Sequence, residues 1–366
     1  MWDNRCRPVC SACHRKMAIR KKTRQRALDM PICATQATYV DYDAVQGYCR
    51  SCNRYETTRP LEIPENGKAT MRFMRFVSSI CRCVPASRVP EILGVSGASA
   101  WRYDRFILAT ELPEPCLDGV DALLIDEKHL GKARGFVTVV LNARNGELLH
   151  LGEGRSHESL DPFFGKMSQQ QKAAIKAVGI DRSNAYRSAV RKHLANAQIV
   201  YDKFHIISNY NEKVVDAVRR RSLAQANAGE KRFITGQRYN LFRNPENLTP
   251  DGRRELSSLL EANAEIEAAH VLKDHLKVLW HYSYEKCAGR ALKSWAAIAM
   301  ATGVSELKRF AKSLLKAKDG ILAYCKHRIT SGKIEAFNRK IQRVLYKTCG
   351  VSNMQYLFLK LRQESL

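Results

Sequence analysis

Two pairs of thiols and a set of separated carboxylates are the residues here whose types and spacing could do chemistry. Cys10-Ser-Ala-Cys13 and Cys49-Arg-Ser-Cys52 are CxxC pairs with 35 residues between them. Two residues between ligands let both thiolates of a turn point at one tetrahedral zinc, and a second such turn closes the shell. The separation exceeds the ~15–20 residues of the commonest pattern, so Cys6, His14 and Cys33 stand as substitutes for a misassigned ligand. A set of buried, chemically idle cysteines is the alternative. Basic neighbours (Arg15, Lys16, Arg54) favour the thiolate form.

The carboxylates end apolar runs. Ala122–Asp126, Ala177–Asp181 and Ala197–Asp202 each finish a short hydrophobic stretch with Asp. Adjacent strand ends can bring Asp126 and Asp181 to shared divalent cations, because hard oxygen donors hold Mg²⁺ and two ions ~4 Å apart activate an attacking oxygen and stabilise a leaving one. Asp is also a common turn residue, so the pair needs a third carboxylate. Ser331–Ile341 offers one: Ile334, Phe337 and Ile341 make a buried stripe, while Glu335, Asn338, Arg339 and Gln342 share another face. Asp202 is the rival for the second position, and with His205 it could instead support the site or be structural. Glu127 is expected on the opposite face of its strand, in a surface or ion-pair role.

The elements that must position these groups follow from the same stretch. Gly135–Leu141 reads as a β-branched strand, Asn145-Gly146 as a hairpin turn and Glu147–Gly152 as a third strand. Ser159–Lys176 and Asn184–Leu194 read as helices between the later runs. Three hairpin-like strands followed by alternating helix and strand predict a mixed sheet of ribonuclease H type over 119–366, interrupted by an all-helical insertion at about 206–328. Within it Val214–Ala226, Asp251–Trp280, Glu285–Thr302 and Ser305–Tyr324 read as helices, and Trp280, Tyr282, Tyr284 and Trp295 as core.

Upstream, Pro60–Lys68 reads as a linker after a zinc-ribbon module at 1–59. Residues 68–113 predict helix, short helix, Gly-containing turn and helix: one segment through about Cys83, a second capped by Ser87 and ended by Gly94, and a third over Gly97–Thr110 with Ala100, Tyr103, Phe106 and Ile107 inward. That is the helix-turn-helix pattern, which leaves Ser99, Trp101, Arg102 and Arg105 to reach base edges or phosphates. An ordinary helical hairpin is the alternative.

Charge supports a nucleic-acid partner. Of 366 residues, 61 are Lys or Arg and 36 are Asp or Glu, a formal charge of +25. The 45% hydrophobic and 27% charged composition is globular, and no apolar run approaches the ~18 residues of a membrane helix, which argues for a cytoplasmic, nucleoid-associated protein with no membrane partner. Double-stranded DNA is the polyanion favoured. Arg15–Arg26 holds seven basic residues and no acidic one, with Arg15, Lys16, Lys21 and Lys22 as phosphate contacts; residues 205–366 hold 29 basic and 15 acidic side chains, with Arg219-Arg220-Arg221, Arg253-Arg254 and Lys308-Arg309 as clusters.

These residues together resemble the ISL-three family of bacterial insertion-sequence transposases. The carrying motifs, in order, are the paired CxxC start, Ile125-Asp126-Glu127, Gly154-Arg155, Gly179-Ile-Asp181-Arg-Ser-Asn-Ala-Tyr186 and Val200-Tyr-Asp202-Lys-Phe-His205-Ile. Leu241-Phe-Arg-Asn-Pro-Glu-Asn-Leu-Thr249 and Ser331-Gly-Lys-Ile-Glu335-Ala-Phe-Asn338 complete them. The resemblance implies a DDE triad at Asp126, Asp181 and Glu335, two magnesium ions with manganese as a substitute, and Asp202, His205 and Asn338 supporting the site. It implies binding of the element's terminal inverted repeats, metal-assisted cleavage and joining of 3′-hydroxyls to target DNA, with a homodimer bridging two ends. Where the family usually has Gly after the Glu, this chain has Ala336. A non-catalytic DNA-binding regulator and a metal-dependent nuclease without strand transfer are the rival readings.

Overall fold

The computed structural model describes residues 7–32, 36–64, 68–132, 134–350 and 353–365. Cys6 and Cys33 lie outside them. The chain divides into two compact units, Met1–Glu114 with Arg339–Leu366, and Pro115–Asn338. Residues 339–366 were expected in one domain with 119–338; they group instead with the amino-terminal unit, because their apolar side chains pack there.

In the first unit the stretch between the CxxC turns, open in the sequence between loop and phosphate contact, is a long hairpin. Strand β1 (Ala18–Asp29) pairs antiparallel with β2 (Thr38–Cys49), which pairs with β3 (Arg54–Thr58). A strand as basic as β1 is held by its partner: Arg24 and Arg26 stand opposite Asp43 and Asp41, and both pairs form ion pairs. Ala27, Tyr42, Ala44 and Ile63 make a small core beneath.

Three helical segments follow. Met71–Cys81 is capped by Thr70, whose hydroxyl accepts from the Phe73 amide. The short Pro90–Leu93 helix starts at Val89 and not at Ser87, which lies in a preceding 3₁₀ turn; Gly94, at φ 65°, ends it. Ser96 caps Gly97–Glu111. Phe73, Met74, Val77, Val89, Ala100 and Ile107 form their shared core, each large side chain contributing roughly 1.5–3 kcal/mol. Phe106, expected inside, is 37% exposed. The inward face carries Asp104 instead, fully buried, accepting from Ser78 Oγ, Tyr356 Oη and Lys360 Nζ. The last two come from the carboxy-terminal helix Met354–Gln363.

The second unit holds a five-stranded sheet ordered β6-β5-β4-β7-β8. Strands β4 (Ala122–His129), β5 (Phe136–Asn142) and β6 (Leu148–Glu153) form an antiparallel meander, with Gly146 at φ 81° in its second turn. Strands β7 (Ala177–Ile180) and β8 (Gln198–Tyr201) add in parallel beside β4. The expected helix over 159–176 breaks at Met167 into Asp161–Lys166 and Gln169–Ala174. From Lys203 to His327 every described element is helical. An aromatic cluster of Tyr210, Trp295 and Phe310 sits in that insertion, ring centroids 5.0–6.4 Å apart. Trp280 and Trp295 are buried as expected, whereas Tyr284 is 77% exposed. Among the described residues no helix is long and apolar enough to cross a membrane.

Candidate active site and metal centre

The thiol site is assembled by two similar turns. The ligand atoms of Cys10, Cys13, Cys49 and Cys52 all lie within 4.8 Å of one another, with Cys13–Cys49 at 3.5 Å and Cys10–Cys52 at 3.9 Å. A tetrahedral shell with Zn–S of ~2.3 Å needs sulfurs roughly 3.8 Å apart, so the set fits zinc as it stands. Each turn ends in a residue in the left-handed region, His14 at φ 55° and Asn53 at φ 51°. His14 is therefore the exposed turn residue after Cys13 and no member of the cluster. Glu56 braces the first turn: its carboxylate accepts from the Ser11 amide at 3.0 Å and from the Arg54 guanidinium, and these donors hold it at a pKa of about 2.

Register builds the carboxylate site. β4 and β7 pair with Leu124 opposite Gly179, and β7 and β8 pair with Ile180 opposite Tyr201. Continuing both registers puts Asp126, within β4, level with Asp181 and Asp202, just past the carboxyl ends of β7 and β8, on three neighbouring parallel strands spaced about 4.8 Å apart. All three line one narrow cleft, together with His205, Ile329, Ser331 and Ile334. Asp181 Oδ1 accepts from the Ser183 amide at 2.8 Å, fixing the turn after β7. Asp202 is buried; its Oδ2 caps the Lys203–Tyr210 helix by accepting from the His205 amide, while Oδ1 has no hydrogen-bond partner among the described residues.

Burial, together with the nearby Asp181 charge, raises the Asp126 pKa, and His205 and Asn338 partly oppose this. Glu127 was expected in a surface or ion-pair role away from the site. It is half-buried, takes part in a hydrogen bond with Tyr186, and its pKa is raised by burial and by the Asp181 and Asp126 charges. The adjacent position in the sequence was the available signal for it.

Glu335 stands apart. It lies in the first turn of the Gly332–Lys347 helix, exposed, accepting from Ser331 Oγ at 3.0 Å. Asn338, one turn later, donates to Asp126 Oδ2 at 3.4 Å. The helix thus reaches β4 at Asp126, but Glu335 does not line the cleft. The oxygens of Asp126, Asp181 and Glu335 do not all lie within 4.8 Å of one another. Asp126 and Asp181 thus share the cleft, while Glu335 is engaged by the Ser331 hydroxyl. What brings the helix this near is Gly179. A Cβ there would meet Ile329 Cγ2 at 2.6 Å and Leu124 Cδ2 at 2.8 Å, so only glycine lets Ile329 cross β7.

The residues considered for DNA contact divide by what already engages them. Arg15, Lys16, Lys21, Lys22 and Arg102 are exposed; of these Arg15 donates to Ser51 Oγ at 2.9 Å and Arg102 to the Ala98 carbonyl at 3.2 Å. Ser99 is half-buried, accepting from Ser96 Oγ. Trp101 packs edge-on against Tyr356 at 5.7 Å, and Arg105 donates to Gln355 at 3.3 Å. Arg219 is buried and paired with Asp216 at 2.6 Å. Arg220 also pairs with Asp216, and Arg221 with Glu265 and Glu306.

Comparison with known proteins decides the family. A family model for ISL-three DDE transposases, described as transposase, matches residues 123–361. The chain belongs to the ISL-three transposase family. It is 29% identical over 360 residues to the transposase for insertion sequence element IS1001 of Bordetella parapertussis, across 97% of this chain and 88% of that relative. It is 24% identical over 256 residues to the transposase for insertion sequence element IS1557 of Mycobacterium tuberculosis, across 64% of this chain and 57% of that one. The family implies a DNA-processing enzyme that uses a divalent metal, and the four-cysteine cluster suits zinc.

Proposed function

We propose that this transposase binds the terminal inverted repeats of its own insertion sequence and catalyses magnesium-dependent cleavage and strand transfer, with Asp126, Asp181 and Glu335 as the metal-binding triad. The observation that carries the reading is the level placement of Asp126, within β4, and Asp181, just past the end of β7, on adjacent parallel strands lining one cleft. The strand order, three antiparallel strands with two parallel ones added beside the first, supports a ribonuclease H-like catalytic domain.

The donors suit a hard cation. The cleft offers carboxylate oxygens, one of them the unpartnered buried Oδ1 of Asp202. Divalent cations, when bound, supply neutralisation of the phosphate's charge and a more acidic attacking hydroxyl. The protein's part is placement. Asp126 and Asp181 approach from the sheet, and Glu335 would approach from the helix that also carries Asn338. Asn338 orients Asp126 through its amide. Asp202 fixes the start of its helix and so the position of His205. Arg102 and the basic β1 strand are the DNA contacts of the first unit, and a homodimer would hold two ends together.

Cleavage of duplexes carrying the element's inverted repeats tests this. Asp126→Ala, Asp181→Ala and Glu335→Ala should each lower Mg²⁺-dependent cleavage by on the order of 10³-fold or more, with binding retained. Intact cleavage in Asp126→Ala or Asp181→Ala overturns the assignment. Cleavage that never yields joined product reduces the activity to a nuclease, and wild-type protein that binds without cutting reduces it to a regulator.

A further inference from the structure

We propose that a second cavity, lined by Arg182, Lys213 and Arg309, holds a backbone phosphate of the DNA next to the one being cleaved; this rests on the catalytic reading above. The cavity measures about 320 Å³, and Asn209 and Ser313 also line it.

Its place follows from shared walls. Arg182 is the residue after Asp181, whose neighbour cleft holds the carboxylates. Asn209 lies one turn after His205 on the Lys203–Tyr210 helix and donates to the His205 carbonyl at 2.8 Å; His205 lines the carboxylate cleft and Asn209 the second cavity. Two separate elements thus border both spaces.

Charge sets the ligand class. Among the described residues Arg182, Lys213 and Arg309 make no ion pair, unlike Arg219, Arg220 and Arg221, which all do. The single acid on the wall, Glu306, is buried and already engaged by Arg221 at 3.2 Å and by Ser305 Oγ at 3.0 Å. Three cations therefore face one cavity with no compensating anion available to them, which suits a phosphate.

The site is also built in advance. Arg182 Nη2 donates to Ser313 O at 3.1 Å and to Ser313 Oγ at 2.7 Å, which fixes the guanidinium and leaves its other N–H groups for a ligand. Lys213 sits in a single π-helical turn, Asn211–Val215, a local widening that often marks a functional site. Arg309 and Ser313 are four residues apart on Ser305–Lys316 and so share its face. Phe310, the aromatic on the wall, is buried and offers no open ring for a base. Backbone, not base, is the matching part of DNA.

The test uses the full chain and a duplex bearing the inverted repeats, with affinity measured by anisotropy across a salt series. Lys213→Ala and Arg309→Ala should each lower the slope of log affinity against log salt by about 0.9, the value of one lost phosphate contact, while Lys192→Ala, which removes an exposed lysine paired with Asp161, leaves it unchanged. Methylphosphonate linkages, placed singly beside the cleaved bond, then identify the phosphate. At one position the neutral linkage should weaken wild-type binding as much as Lys213→Ala does, and combining the two should cost no more than either. Unchanged slopes in both variants, or strictly additive losses at every position, overturn the inference. Loss of cleavage in Asp126→Ala with unchanged Lys213→Ala slopes would sink this site alone; retained cleavage in Asp126→Ala would sink the catalytic reading while leaving the slopes to judge the phosphate site.

Discussion

At the cysteine site, each pair of ligands comes from one turn, and the sheet has only to bring two turns together. At the carboxylate cleft no two ligands come from the same turn. Asp126, Asp181 and Asp202 are level because three strands pair in one register, and Glu335 arrives on a helix more than 130 residues after Asp202. The four sulfurs already have metal-like spacing, whereas the carboxylate oxygens stand apart. A site made of local turns closes as soon as the turns form. A site made of register depends on packing some distance away, and its charges oppose closure.

That contrast predicts unequal responses to metal removal. Stripping zinc should unfold the β1–β2–β3 module, since structural zinc contributes roughly 10–16 kcal/mol in small zinc-binding peptides. Circular dichroism and a zinc-release assay on the full chain check it, with one equivalent expected. Withholding magnesium should leave the second unit's melting unchanged; a large shift there would break the comparison.

A smaller effect probes the register-built site. Gly179→Ala forces Ile329 and Leu124 away from β7, and overpacking of this kind costs about 1–3 kcal/mol. Calorimetry should record the loss, and cleavage should fall beyond what stability explains, because Ile329 leads into the Glu335 helix. Arg219→Ala should cost a comparable amount, about 3 kcal/mol at most because Asp216 keeps Arg220 and Arg238, and Arg220→Ala, at the exposed end of the same cluster, under 1 kcal/mol. Denaturant melts separate the two.

The gentlest probe is pH. The Arg72 guanidinium and Thr70 hydroxyl hold Asp29, at the end of β1, at a pKa of about 2. A carboxylate depressed in the folded state contributes stability that is full above its unfolded value, about 3.9, and is lost as pH falls through about 2. Melting of the first unit should therefore decline between about pH 4 and 2, and Asp29→Asn should flatten that decline.

Much of this was legible along the chain. The CxxC turns, the Asn145-Gly146 hairpin and the apolar runs ending in Asp181 and Asp202 are short-range patterns that form turns and strands where their spacing predicts, whereas the strand through Asp126 runs on to His129. The ion pairs of the arginine triplet were only partly legible: Asp216, three to five residues before it, was a visible local partner, whereas Glu306, which holds Arg221, is 85 residues away. The exposed Phe106 and buried Asp104 were unreadable for the same reason, since Tyr356 and Lys360 come from the far end of the chain.

Residue order alone settled which side chains could bind metal and which turns and strands would carry them, because those preferences act between neighbours a few residues apart. Only the packed molecule decided which cations were already spent on acids, which end of the chain joined which unit, and how near Glu335 comes to Asp126. Those outcomes depend on burial and on contacts between distant segments, and no local preference encodes either.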